Sequence, residues 1–138
     1  MTVKMFEFPA LVAYLEGQAT PASVTVTRDF SLAMDKTFTV SVTICERTYD
    51  GVSFDAFDAL EKARGQFEPL GWLLGIEGCA LRCRMSGMLR DMRDGMFMYV
   101  SAPAGATELP DTVSTFAPAP LADLATVAAQ RAAWLAAP

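Results

Sequence analysis

The chain contains no histidine. That absence excludes the Ser-His-Asp triad, the Cys-His dyad, His-ligated zinc and the commonest general base together. Cysteine is scarce. Cys45, Cys79 and Cys83 are an odd, small set that gives no disulfide framework and reads as buried, reduced thiols. Long apolar runs are missing too. The longest, around Trp72–Ile76, is far short of the roughly 18 residues that a bilayer span requires. Met1–Glu7 lacks a basic segment followed by an apolar one, so no secretory signal is read and a cytoplasmic protein is the expectation. No GxxxxGK[ST] motif occurs, and Gly71, Gly75 and Gly78 are not spaced to cradle a phosphate. Positive charge is in short supply: 11 Lys and Arg against 16 Asp and Glu, a formal charge of −5. Such a surface repels phosphate backbones, which disfavours nucleic-acid binding.

What is present is a core. Hydrophobic residues make up 52% of the 138 positions, too many for a disordered chain. The length suits one domain over residues 1–138, with 102–120, rich in Pro, Ala and Thr, as a loop or linker leading to a C-terminal helix.

Pro9 followed by Ala10–Glu16 and Gly17 has the punctuation of a short helix. Ser23–Phe30 and Thr37–Cys45 alternate apolar and polar residues, the period of half-buried strands, and the short Ser31–Lys36 connection makes them a hairpin. Tyr49-Asp50-Gly51 reads as a turn. Ser53 is placed to cap a helix with Phe54, Phe57, Leu60, Ala63 and Phe67 on its apolar face, Asp55 at its positive end and Gly65 at its stop. Trp72–Ile76, Ala80–Arg84 and Met96–Ser101 read as strands, Met88–Arg93 as one or two helical turns, and Leu121–Leu135 as the last helix. Strands and helices mix without strict βαβ alternation. The fold class is therefore α+β: an antiparallel sheet of about five strands with helices mainly on one face. Trp134 and Leu135 are placed to dock the last helix to the body or to a second copy in a homodimer.

Chemistry is sparse. Met85, Met88, Met92, Met96 and Met98 cluster near Cys79 and Cys83, and soft sulfur ligands suit Cu(I). The two cysteines lack CxxC spacing, however, and methionine fills irregular packing, so no metal or cofactor is expected. Asp55, Asp58 and Glu61 share a helix flank, where acids serve solubility before they serve catalysis. Ser86-Gly87, a turn or two of helix and Asp94-Gly95 present Met88, Arg90, Asp91, Arg93 and Asp94 from a connection between strands, a common place for binding residues.

Leu70-Gly71-Trp72, Gly78, Ser86-Gly87-Met88, Asp91-Met92, Gly95 and Tyr99 form a pattern that resembles small bacterial proteins found beside polymorphic-toxin systems. Those carry a Gly-Ala step where this chain has Cys79-Ala80. The resemblance implies an immunity-like protein that neutralises a toxin by binding and occluding it, with no catalytic residues to carry over. Charge would complement a basic toxin domain. Asp50, Asp55 and Asp58 are candidate contacts, with Ser86, Met88, Arg90, Asp91, Arg93 and Asp94 as a second contact loop. Two other classes stand beside this one. The first is a small ligand-binding domain or enzyme that holds an anion with Arg90 or Arg93 and uses Asp91 or Cys83. The second is a structural subunit that oligomerises through its C-terminal helix.

Overall fold

A computed structural model describes residues 2–30, 36–100 and 111–136. The chain opens with a meander of four strands, β1 (Thr2–Leu15), β2 (Gln18–Phe30), β3 (Lys36–Ile44) and β4 (Arg47–Ser53). With β5 (Trp72–Leu74) on the far side of β1, they form an antiparallel five-stranded sheet in the order β4-β3-β2-β1-β5. The expected α+β class and sheet size are therefore observed.

The alternation read in β2 and β3 sets the two faces. Val24, Val26, Phe38, Val40, Val42 and Ile44 are buried, and the hydroxyl residues between them lie on the opposite face. Glu16-Gly17 (φ 51° and 80°) and Cys45-Glu46 (φ 50° and 66°) close hairpins with left-handed residues at both central positions, the turn whose twist matches paired strands.

The readings of β1 and β4 need correction. Ala10–Glu16 is not helical: Ala10–Leu15 is the end of β1 and Glu16 opens the turn. The β1–β2 register shifts between Phe8 and Leu11. Before the shift Phe6 and Phe8 face the core; after it Leu11 and Ala13 do. One extra residue switches the inward parity from even to odd, which hides the alternation. Tyr49-Asp50-Gly51 is not a turn but the middle of β4. A Cβ on Gly51 would stand 1.9 Å from the Ala59 carbonyl oxygen, so glycine is there because a helix backbone rests on the strand.

That helix is α1 (Ala56–Phe67). Its cap is Asp55 rather than Ser53: Asp55 is extended and its carboxylate accepts from the Asp58 N–H at 2.8 Å. Phe57, Leu60, Ala63 and Phe67 are buried as expected, whereas Phe54, before the cap, is 76% exposed. Gly65 lies inside the helix. The stop comes at Gly71 (φ 99°), after a single 3-10 turn over Glu68–Leu70.

The second half builds a smaller antiparallel sheet, β6 (Cys83–Arg84), β7 (Phe97–Val100) and β8 (Thr112–Ser114), with α2 (Gly87–Met92) between β6 and β7. The described part of the expected 102–120 linker is structural: it supplies β8, and buried Phe116 stacks on Phe8 with ring centroids 5.2 Å apart. Residues 102–110 of that linker lie outside the described residues, as do 31–35 of the β2–β3 connection.

The last helix is shorter than expected. Leu121–Asp123 is a 3-10 turn, and α3 runs over Val127–Ala136. Trp134 docks it to the body by donating from Nε1 to the Cys83 carbonyl at 2.9 Å, with its ring 5.8 Å from that of Phe57. Leu135 points outward and is 89% exposed. No described helix is long and apolar enough to cross a membrane.

Candidate functional site

The connection from Ser86 to Gly95 is anchored at both ends and in the middle. Ser86 is extended and caps α2, its hydroxyl accepting from the Leu89 N–H at 3.1 Å. Leu89 is the buried residue of the helix. At the far end Asp94 (φ 59°) and Gly95 (φ 73°) both take left-handed conformations, which the sequence Asp-Gly tolerates well. The Asp94 carbonyl accepts from the Ala56 N–H at 2.8 Å, so the turn closes the first turn of α1. Its carboxylate accepts from Arg28 Nη1 at 3.0 Å and also from Lys36 Nζ. A Cβ on Gly95 would sit 2.7 Å from both Asp55 Oδ1 and the Phe57 nitrogen. The segment is thus pressed against the start of α1 and tied to the ends of β2 and β3.

Of the acids placed in a partner-binding set, the structure engages most within the chain. Asp55 caps α1 and lies 3.6 Å from Arg90 Nη1. Asp58 accepts from the Ser53 hydroxyl at 2.5 Å and lies 3.7 Å from Lys62 Nζ. Asp50 is exposed on β4, away from α2; its backbone carbonyl accepts from Gln66 Nε2 at 2.6 Å. Glu61 is not on a solvated flank. It is 8% exposed and accepts two hydrogen bonds from Arg131, at 2.9 and 3.2 Å.

The cations of the connection behave in two ways. Arg90 lies over the Phe57 ring at 5.2 Å as well as beside Asp55. Arg93 is exposed and lies over the Phe97 ring at 4.6 Å. Asp91 is exposed, and its backbone carbonyl accepts from Lys36 Nζ at 3.5 Å. Met88 and Met92 project into solvent at 56% and 74% exposure. Met88 and Met92, one turn apart, share an exposed face of α2, and Phe54, next to Asp55, is separately exposed. The structure therefore brings Asp55, Ser86, Met88, Arg90, Asp91, Arg93 and Asp94 into one region and leaves Asp50 outside it. Phe54 was missed as a surface residue because it fits the helical spacing of the α1 core; the signal that separates it is its place before the cap.

Cys45 is exposed in the β3–β4 turn, not buried as expected, whereas Cys79 and Cys83 are buried and fit no nucleophile. Cys79 is fully buried, which pushes its thiol up to about 11. Cys83 is also buried and donates to Glu77 Oε2 at 3.3 Å; burial and then that carboxylate push it up to about 12. A thiol held protonated at neutral pH is a poor nucleophile and a poor metal ligand.

A buried polar knot went unread in the sequence. Arg64 of α1 is fully buried and donates to Glu68 Oε2 (2.5 Å), Gln130 Oε1 (2.8 Å) and the Ala125 carbonyl (2.8 Å). Gln130 in turn donates to the carbonyls of Gly78 (3.0 Å) and Ala80 (2.9 Å), and the other Glu68 oxygen accepts from the Val127 N–H at 2.9 Å. With its donors and acceptors paired, the knot holds α1, α3 and the Gly78–Ala80 strip together. Its residues are structural, not a reaction centre.

No protein-family profile matches the chain, and no curated protein matches it at a significant level.

Proposed function

We propose that this chain is a cytoplasmic protein-binding module that works by occluding a partner, in the manner of an immunity protein, through a surface centred on Phe54, Met88 and Met92. One observation carries the reading: Met88 and Met92 stand exposed on a connection whose backbone is fixed by Asp94, Gly95 and Ser86, and Phe54 is exposed next to Asp55, which that connection touches. Fixing the backbone lowers the ordering entropy lost on association, and methionine and aromatic anchors are favoured contact residues. Arg93 and Asp91 at the margin supply charge that sets orientation more than affinity. The Ser-Gly-Met and Asp-Met elements that resemble toxin-associated immunity proteins fall in this same segment.

The placement of the acids modifies how such a partner would be held. Asp55 and Asp58 are occupied within the chain, so apolar anchoring rather than a row of carboxylates dominates the surface. Co-expression with the product of the adjacent open reading frame tests the proposal. A complex and protection from toxicity support it, and Phe54→Ser with Met92→Ser must then abolish both while the fold is kept. A complex indifferent to those substitutions, or no complex at all, sinks it.

A further inference from the structure

The five-stranded sheet has two edges, and the chain treats them differently. On β4 the outward carbonyls of Asp50 and Val52 accept from Gln66 Nε2 (2.6 Å) and Lys62 Nζ (3.1 Å) of α1, which blunts that edge. On β1 the neighbour β5 covers only Ala13–Leu15, and the Gly75 N–H reaches the Val12 carbonyl at 2.7 Å. Among the described residues, nothing pairs with Thr2–Pro9 on that side.

The alternation of an antiparallel ladder says which peptide groups face out. The Val12 carbonyl faces β5, so Leu11, Ala13 and Leu15 exchange with β2. Ala22, Val24 and Val26 share the β1-facing side of β2, which makes their partners Leu11, Phe8 and Phe6 inward-bonding across the bulge. Val3, Met5, Glu7 and Pro9 then turn their peptide groups to the open edge. The side chains of Val3 and Met5 are 53% and 57% exposed.

We propose that a second copy of this chain occupies this edge, its β1 antiparallel to the first about a two-fold axis at Met5. In that register Met5 lies opposite the second copy's Met5, Val3 opposite its Glu7 and Lys4 opposite its Phe6. The N–H groups of Val3, Met5 and Glu7 all find carbonyls. Pro9, which has no N–H to give, falls just outside the window. Shifting the register by two residues would bring Pro9 opposite Val3 and forfeit bonds at both ends. The window also stops short of Val12, where β5 takes over, so the two strands do not compete for space. No like charges stand directly opposite. Glu7 meets a valine, and Lys4 meets the kind of ring it already covers in its own chain, where its Nζ is 5.2 Å from the Phe6 centroid. The open stretch is thus complementary to its own copy: its three outward N–H groups are paired, its proline is left out and no like charges are opposed. The result is one continuous sheet through both copies.

Sedimentation equilibrium of the full chain tests the inference. The expected mass is twice 14.9 kDa. Met5→Pro removes an N–H that faces the open edge, a position where a strand tolerates proline, and it should weaken the dimer at least about tenfold while each copy stays folded. Met5→Lys, which places two cations together on the axis, is the second variant and should act in the same direction. In a Cys45→Ser background, Met5→Cys should oxidise to a linked dimer, because opposed residues in such a pair lie about 5.5 Å apart at Cα. A monomeric wild type overturns the proposal. So does a dimer that survives both Met5 substitutions, or one that Leu135→Glu dissociates instead.

Discussion

Arg64 and Glu68 show how much of this molecule rests on a few polar side chains. Both Glu68 oxygens are used, one by the Arg64 guanidinium and one by the Val127 N–H. Glu68→Leu would leave a buried cation and a helix-end donor unpaired, and it should cost about 3–5 kcal/mol in chemical denaturation. The thiols give two further tests at this scale. Cys45 is exposed in a hairpin turn, so it alone should react with a thiol reagent in the native protein, with Cys79 and Cys83 reacting only after unfolding. Rapid labelling of a second thiol in the folded state would contradict their burial. The pH dependence follows from the same groups. Their folded values, about 11 and about 12, lie above the unfolded thiol value, so the folded chain holds protons that the unfolded chain has released. Their contribution is complete below the unfolded value and is lost as pH climbs toward the folded ones. Stability should fall by up to about 1.4 kcal/mol per pH unit per thiol in the window above roughly pH 9. Replacing both cysteines with alanine should flatten that slope.

At the scale of elements, legibility tracked how local the cause was. β2 and β3 could be read because their alternation is unbroken and one face is buried. The apolar side of α1 could be read because its spacing is regular. β1 could not, because a bulge at Pro9-Ala10 changes parity midway and leaves two short patterns that mimic a helix start. Gly51 looked like a turn because the reason for it lies in another element, the backbone of α1 pressed against β4. Gly51→Ala is accordingly predicted to cost about 3 kcal/mol or more by thermal unfolding, since neither backbone can yield without losing the sheet or the helix. The α2 connection was legible as Ser-Gly and Asp-Gly punctuation around a short turn of helix. Its anchoring to Arg28, Lys36 and Ala56 was not, because those partners are distant in sequence. Asp94→Ala should release it: amide exchange across Met88–Gly95 should speed up while the β2–β3 ladder stays protected. Uniform protection in that variant would show that the connection does not depend on Asp94.

For the whole molecule, net charge proved a poor guide to the surface. The acids that make the chain negative are partly spent inside it, at the cap of α1, on Arg131 and on Arg82, which donates to Glu77 at 2.5 Å. What marks the exterior instead is the exposure of large apolar side chains, Phe54, Met88 and Met92 among them. Composition could not reveal it, since methionine and phenylalanine are core residues in most contexts and exposure is decided by the register of the elements that carry them. The proposed function rests on those three residues forming a contact surface. Its most direct test is calorimetric titration of the purified product of the adjacent open reading frame into the wild-type chain and into a Phe54→Ser, Met88→Ser, Met92→Ser variant shown to be folded. The proposed function predicts saturable binding to the wild type and at least about a hundredfold loss in the variant, in line with anchor residues of protein interfaces. Equal affinity of the two, or no heat of binding to either, would contradict it.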